Sequence, residues 1–196
     1  MLPEKIIYIG ILINFIGQVF YIKNIIFGGT RPNLVSWFMW MLAPFIGVFL
    51  MLRAGAGLSV LPVFMAGFGP FLVLSFSLFR KNSYWKITTF DLFCGILSLI
   101  ALVIYVFTKN LGISILFVIL SDGLAAIPTI VKSWNFPETE TSLIYITGMI
   151  SNILGLLIIT NWIFSIYSLS LYFVFVNIII VFSIYHKKIF NVKIAI

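Results

Sequence analysis

Cysteine and histidine occur once each in this 196-residue chain, as Cys94 and His186. One of each can build neither a disulfide framework nor a zinc centre, so no metal and no cofactor is expected. Charge is nearly as scarce. Asp, Glu, Lys and Arg make up 9% of the chain, and only five of these residues are acidic, against roughly a quarter charged in an average soluble domain. A soluble protein of this size could not cover its surface with so few polar groups. Long polar linkers are also missing, which argues against separate domains and for one transmembrane unit over residues 1–196.

What the chain does have is apolar sequence, 62% of it. A helix crossing the hydrocarbon core needs about 20 residues. Seven runs meet that length: Ile6–Phe27, Leu34–Leu52, Leu58–Phe79, Ile87–Phe107, Leu111–Val131, Ser142–Thr160 and Ile163–Tyr185. They are apolar throughout rather than alternating, so they read as helices and not as β-barrel strands. The expected fold is an all-α membrane protein with seven transmembrane helices, placed in the cell membrane. Residues Met1 to Lys5 precede the first run without a small-residue cleavage site, so that run is expected to be an uncleaved span.

Orientation follows from the basic residues. Lys5, Arg53 and Lys109 fall on one side, and nine others, from Lys23 and Arg31 to Lys188 and Lys193, fall on the opposite side. The lysine-rich side is expected in the cytoplasm, which puts the N-terminus out and the C-terminus in. That requires an odd number of spans, and seven is odd. The net charge of +7 is thus explained by short cytoplasmic loops, and nucleic acid is excluded as a partner.

Shifting the sequence by 109 residues lays the first three runs on the last three. Lys23 then meets Lys132, Phe27 meets Phe136, Thr30 meets Thr139 and Leu34 meets Leu143. One helix separates the triplets, so both enter the membrane in the same direction. The layout is a 3+1+3 parallel-repeat bundle: repeat one 6–79, linker helix 87–107, repeat two 111–185. Transporters are commonly built from such repeats.

This layout resembles the PQ-loop/SWEET-like superfamily of membrane transporters and KDEL-type receptors. The family motif is a Pro-Gln pair late in the first helix of each repeat, followed by a basic residue and a Thr/Ser turn. The second repeat carries Pro128, Lys132, Thr139 and Ser142, with Thr129 in place of the glutamine. The first repeat has Val19-Phe20 at the pair and Gln18 one place early. The resemblance implies a solute cavity between the triplets. It also favours Asn177, since SWEET carriers contact substrate through asparagines on the third helix of each repeat; the first repeat has only Gly67-Phe-Gly-Pro70 there.

Among the acids, only Asp122 falls near the middle of a run. Translocon scales put a central aspartate at roughly +2.5 to +3.5 kcal/mol, so it should face a partner or a wet cavity. It is expected to bind solute or a coupled proton. Asn14 and Gln18 lie one turn apart on one face, and in the overlay Asn14 falls beside Asp122, opposite Gly123. Trp37 and Trp40, at i and i+3, share a face of the second helix; Trp40 is deep enough to wall a cavity. Trp85, Trp134 and Trp162 read as loop residues at the interface, His186 with Lys187 and Lys188 as a snorkelling anchor. Asp91 reads as a helix cap with Thr88.

The expected function is a small-solute transporter working by alternating access, with Asp122, Asn14, Gln18, Trp40 and Asn177 binding a small polar solute. Its partners are the lipid bilayer, that solute and a coupled proton, with homo-oligomerisation compatible. The rival is a non-transporting receptor or interaction subunit on the same fold, which a dry core with Asp122 tied to a neighbouring helix would favour. An enzyme is not expected, because the chain lacks a metal cluster, a Ser/His pair and two deep carboxylates.

Overall fold

The computed structural model describes residues 3–78, 84–108 and 110–190. In them each apolar run forms an α-helix: α1 (Ile7–Ile26), α2 (Leu34–Arg53), α3 (Leu61–Leu78), α4 (Thr89–Val106), α5 (Leu111–Asn135), α6 (Leu143–Leu157) and α7 (Phe164–Ile189). No strand occurs among the described residues. Phe79, with Arg80, Lys81, Lys109 and Lys193 of the charge count, lies outside them. Six of the helical segments are long and apolar enough to cross a membrane. The chain is a multi-pass membrane protein.

Helix lengths differ from the apolar runs at two places. α6 has 15 residues, about 22 Å of helix against a hydrocarbon core of about 30 Å. α5 has 25 and continues past the apolar run through Lys132 to Asn135. Hydropathy ends where the polar side chains begin, but backbone hydrogen bonding goes on. Trp134 is therefore a residue of the last turn of α5 and not of a loop, and its ring stacks on His186 at 3.8 Å. His186 is buried, with Nδ1 2.7 Å from the Ser183 carbonyl oxygen, so it does not snorkel. Lys187 does reach outward, donating to the Asn135 carbonyl at 3.0 Å.

The surface is apolar and much of the interior polar, the reverse of a soluble protein. On α1, Tyr8, Leu12, Phe15 and Val19 are exposed at a helical period while Ile7, Gly10, Asn14, Gly17, Gln18 and Tyr21 are buried. Lipid can solvate the first set; the second must find protein or polar partners. Asparagines and a threonine start the helices that need it. Asn33 accepts from the amides of Val35 and Ser36 at α2, and Asn110 from those of Gly112 and Ile113 at α5. Thr88 and Asp91 form a reciprocal capping box at α4, and Asp91 also accepts from Asn33 Nδ2 at 2.9 Å, joining the starts of α2 and α4.

Packing order departs from chain order. α3 lies against both α1 and α2, and α7 lies against both α5 and α6. Across the middle, α1 packs on α6 and α2 packs on α5, while α4 sits outside against α5 and α2. Close approach uses small residues, as between membrane helices generally. A Cβ placed on Gly17 of α1 would stand 2.0 Å from Thr147 Oγ1 of α6. Ser98 of α4 donates to the Ser121 carbonyl of α5 at 2.6 Å. Pro44, Pro70 and Pro128 lie inside α2, α3 and α5, where each removes a backbone donor.

Candidate functional site

A small cavity, with about 70 Å³ of free space, lies where α1, α2, α3, α5, α6 and α7 converge. α4 contributes nothing to its wall. The five residues named from sequence, Asp122, Asn14, Gln18, Trp40 and Asn177, all line it. Four are buried in their helices, and Asn177 is half-buried.

On α1, Gln18 Nε2 donates to Asn14 Oδ1 at 2.9 Å and to the Met65 carbonyl of α3 at 3.0 Å. The amide fits there because residue 69 is glycine: a Cβ on Gly69 would stand 2.7 Å from Gln18 Nε2. Both Gln18 N–H groups are engaged, and Oε1 has no partner among the described residues. Pro70, which also lines the cavity, follows that glycine.

On α5, Asp122 is 1% exposed. Its Oδ2 accepts from the Tyr172 hydroxyl of α7 at 2.7 Å, and Oδ1 has no partner among the described residues. Its main-chain carbonyl accepts from Trp40 Nε1 of α2 at 3.3 Å. The carboxylate is thus fixed from α7 and flanked from α2, with one oxygen left over.

Aromatic rings build the wall towards the Arg31–Glu140 end. Tyr21 and Trp37 have centroids 4.9 Å apart, Trp37 and Trp40 5.4 Å, and Trp40 and Tyr145 6.4 Å. Trp37 and Trp40 share a face and are both buried, so they belong to the cavity rather than to an interfacial belt. On α6, Asn152 Nδ2 donates to the Gly148 carbonyl at 2.9 Å, leaving Oδ1 without a partner. Asn177 of α7 meets α6 at Gly148, where a Cβ would stand 3.4 Å from its Nδ2.

Beyond the rings lies a second polar cluster. Lys132 Nζ of α5 and Glu140 Oε2 form an ion pair at 2.5 Å, with side chains 2% and 0% exposed. Lys132 also donates to the Arg31 carbonyl at 2.6 Å, and Tyr21 of α1 donates to Glu140 Oε1 at 2.5 Å. The Arg31 amide donates to the Thr139 carbonyl at 3.0 Å, and the Thr30 and Thr141 hydroxyls share a hydrogen bond. The α1–α2 loop is thereby bound to the α5–α6 loop.

Sequence reading missed Tyr172, Asn152 as a lining residue, and the pairing of Lys132 with Glu140 and Tyr21. A tyrosine inside an apolar run carries no mark that tells a ligand-shaping hydroxyl from a packing ring. Glu140 had a signal: it follows Lys132 by eight residues across a short turn, near enough for the two charges to meet. Among the described residues, no group of three or more His, Cys, Asp or Glu side chains could hold a metal. Compared with known protein families, curated proteins and solved structures, the chain has no match.

Proposed function

We propose that this protein is a small-solute membrane transporter of SWEET/PQ-loop type that works by alternating access in the cell membrane. The observation that carries the reading is the cavity: six helices converge on a buried carboxylate, amides and indole rings, with unpaired polar atoms among them. Polar groups at mid-depth in a membrane bundle are retained where they serve a solute or ion path.

The helix contacts support the parallel 3+1+3 repeat. Exchanging α1, α2, α3 for α5, α6, α7 turns the pairs α1–α3, α2–α3 and α1–α6 into α5–α7, α6–α7 and α5–α2, all of which are packed. α4 stands apart as the linker. Thr30 and Thr139, equivalent in the overlay, lie in the two loops that meet, as expected near a repeat axis. With the N-terminus out and the C-terminus in, the Lys132–Glu140 cluster closes the cytoplasmic end. Rocking the triplets would break it and admit solute from that side. Asp122 is the polar or proton-coupling centre, with one oxygen tied to α7 and the other without a partner among the described residues.

A thermal-shift screen of the purified protein against sugars, amino acids and vitamins, followed by uptake of each hit into proteoliposomes, tests this. A stabilising ligand binds the folded state preferentially. Transport predicts that a stabilising solute also accumulates in the vesicles. A solute that stabilises but never crosses would replace transport with the receptor reading.

A further inference from the structure

We infer that the cavity takes a small organic cation, a solute with an ammonium group seated on Asp122 and Trp40. This rests on the solute-cavity reading above and narrows its ligand.

Charge is the first ground. Asp122 is the one residue of the Asp, Glu, Lys, Arg and His types lining the cavity among the described residues. The nearest cation along α5 is Lys132, about 15 Å further on at 1.5 Å per residue, and it is already paired with Glu140. Among the described residues no cation forms an ion pair with the Asp122 carboxylate. Tyr172 supplies one hydrogen bond to Oδ2, and Oδ1 has no partner among the described residues although Asp122 is 1% exposed. A buried carboxylate with an unused oxygen is a site prepared for a positive donor.

The unpartnered buried acceptors are the second ground. Gln18 and Asn152 each face a main-chain carbonyl, of Met65 and Gly148. Only the amide nitrogen can donate there, so in both cases the oxygen is the atom left over. Asp122 Oδ1, Gln18 Oε1 and Asn152 Oδ1 are thus three buried acceptors lacking donors. Trp37 Nε1 is a buried donor left over on the same wall. Of these atoms the carboxylate oxygen is the strongest acceptor, and it suits a ligand that brings N–H. An ammonium brings up to three.

The third ground is the ring beside the acid. Trp40 donates its N–H to the main-chain carbonyl of Asp122 at 3.3 Å, so what it offers the cavity is its ring, on the helix face that meets Asp122. An indole face attracts cations and is the best of the aromatic side chains at doing so. Trp37 Nε1, further along the aromatic wall, suits one acceptor on the ligand. An amino alcohol or a similar small polar amine meets every one of these features.

The test uses the full-length protein in detergent or nanodiscs, with probes matched in size and differing in charge. Ethanolamine, choline and putrescine are the ammonium set; ethylene glycol and glucose are neutral; lactate is anionic. The ammonium set should raise the melting temperature in a saturable way, the neutral and anionic probes should not, and Asp122→Asn should weaken the ammonium response at least tenfold. Trp40→Leu should weaken it several-fold and Trp40→Phe should restore most of that loss. If Asp122→Asn does not fold, the wild-type selectivity and the Trp40 pair decide the matter. Stabilisation by glucose or lactate, unaffected by Asp122→Asn, would overturn the cation inference and leave the solute cavity standing. No response to any probe class, with no uptake of any of them by proteoliposomes, would overturn both.

Discussion

Lys132 and Glu140 form an ion pair at 2.5 Å with almost no solvent contact, and Tyr21 from the other end of the sequence shares the same carboxylate. A buried charge that loses its partner is left desolvated and unanswered, at a cost of about 3–5 kcal/mol. Glu140→Gln and Lys132→Met should each lower the melting temperature markedly, and Lys132→Met with Glu140→Leu should recover much of the loss. Thermal unfolding in detergent measures all three. Equal, additive losses would show that the two residues do not act as a pair.

The contact between α1 and α6 leaves no room at Gly17, where a Cβ would meet Thr147 Oγ1 at 2.0 Å. Gly17→Ala should destabilise by about 1–3 kcal/mol, the usual cost of overpacking. Gly123, inside α5, is the control: its added Cβ makes only ordinary contact, 3.6 Å from the Tyr172 hydroxyl. Thr147→Ala in the Gly17→Ala background should recover part of the loss, since the Thr147 Cβ still stands 2.9 Å from the added one; a Gly17→Ala protein as stable as wild type would mean the helices sit further apart.

Topology can be read with single cysteines, because the native Cys94 is buried. Asn161 and Glu138 are both exposed, at opposite ends of α6. In intact cells, Asn161→Cys should react with a membrane-impermeant maleimide, and Glu138→Cys should react only after permeabilisation. Labelling of both from the same side would show that the 15-residue α6 does not cross.

Asp122→Asn should fold with a stability close to wild type, since the amide is nearly isosteric and its oxygen can still accept from Tyr172. Solute response should be lost. An ammonium needs the ionised carboxylate, so wild-type affinity for a cationic solute should fall as pH drops through the titration of Asp122, and the Asn variant should show no such dependence. Uptake or binding measured across pH checks both. Unchanged pH-dependent uptake in Asp122→Asn would remove Asp122 from the site.

Tyr172→Phe removes one hydrogen bond to a charged group, worth about 1.5–3 kcal/mol. It should lower stability by that order and leave Asp122 free to turn, weakening ligand binding without abolishing it. A Tyr172→Phe protein that binds its solute as wild type does would show that the carboxylate needs no positioning from α7.

Some of this protein was decided by the one-dimensional sequence. Continuous apolar runs in a chain with 9% charge must be helices in lipid, because only helices satisfy their own backbone there. Asp122 stood out for the same reason: a carboxylate at mid-depth needs compensation, and its neighbours in sequence offer none. Asn14 and Gln18 were legible as a pair because helical period alone brings i and i+4 together. Tertiary structure decided the rest. That Gln18 uses both N–H groups depends on Met65 and on the missing side chain at Gly69, each in another helix. Tyr172 and Asn152 became parts of the site only when α7 and α6 were packed against α5 and α1. Lys132, one of nine basic residues in a charge count, became the partner of Glu140 because α5 runs on through Lys132 and the chain turns back beside it, and Tyr21 and the Arg31 carbonyl from the other loop then close on the pair. Period and hydropathy are properties of single helices, whereas a cavity is a property of the space between them, and that space is set by which small residues let two helices approach.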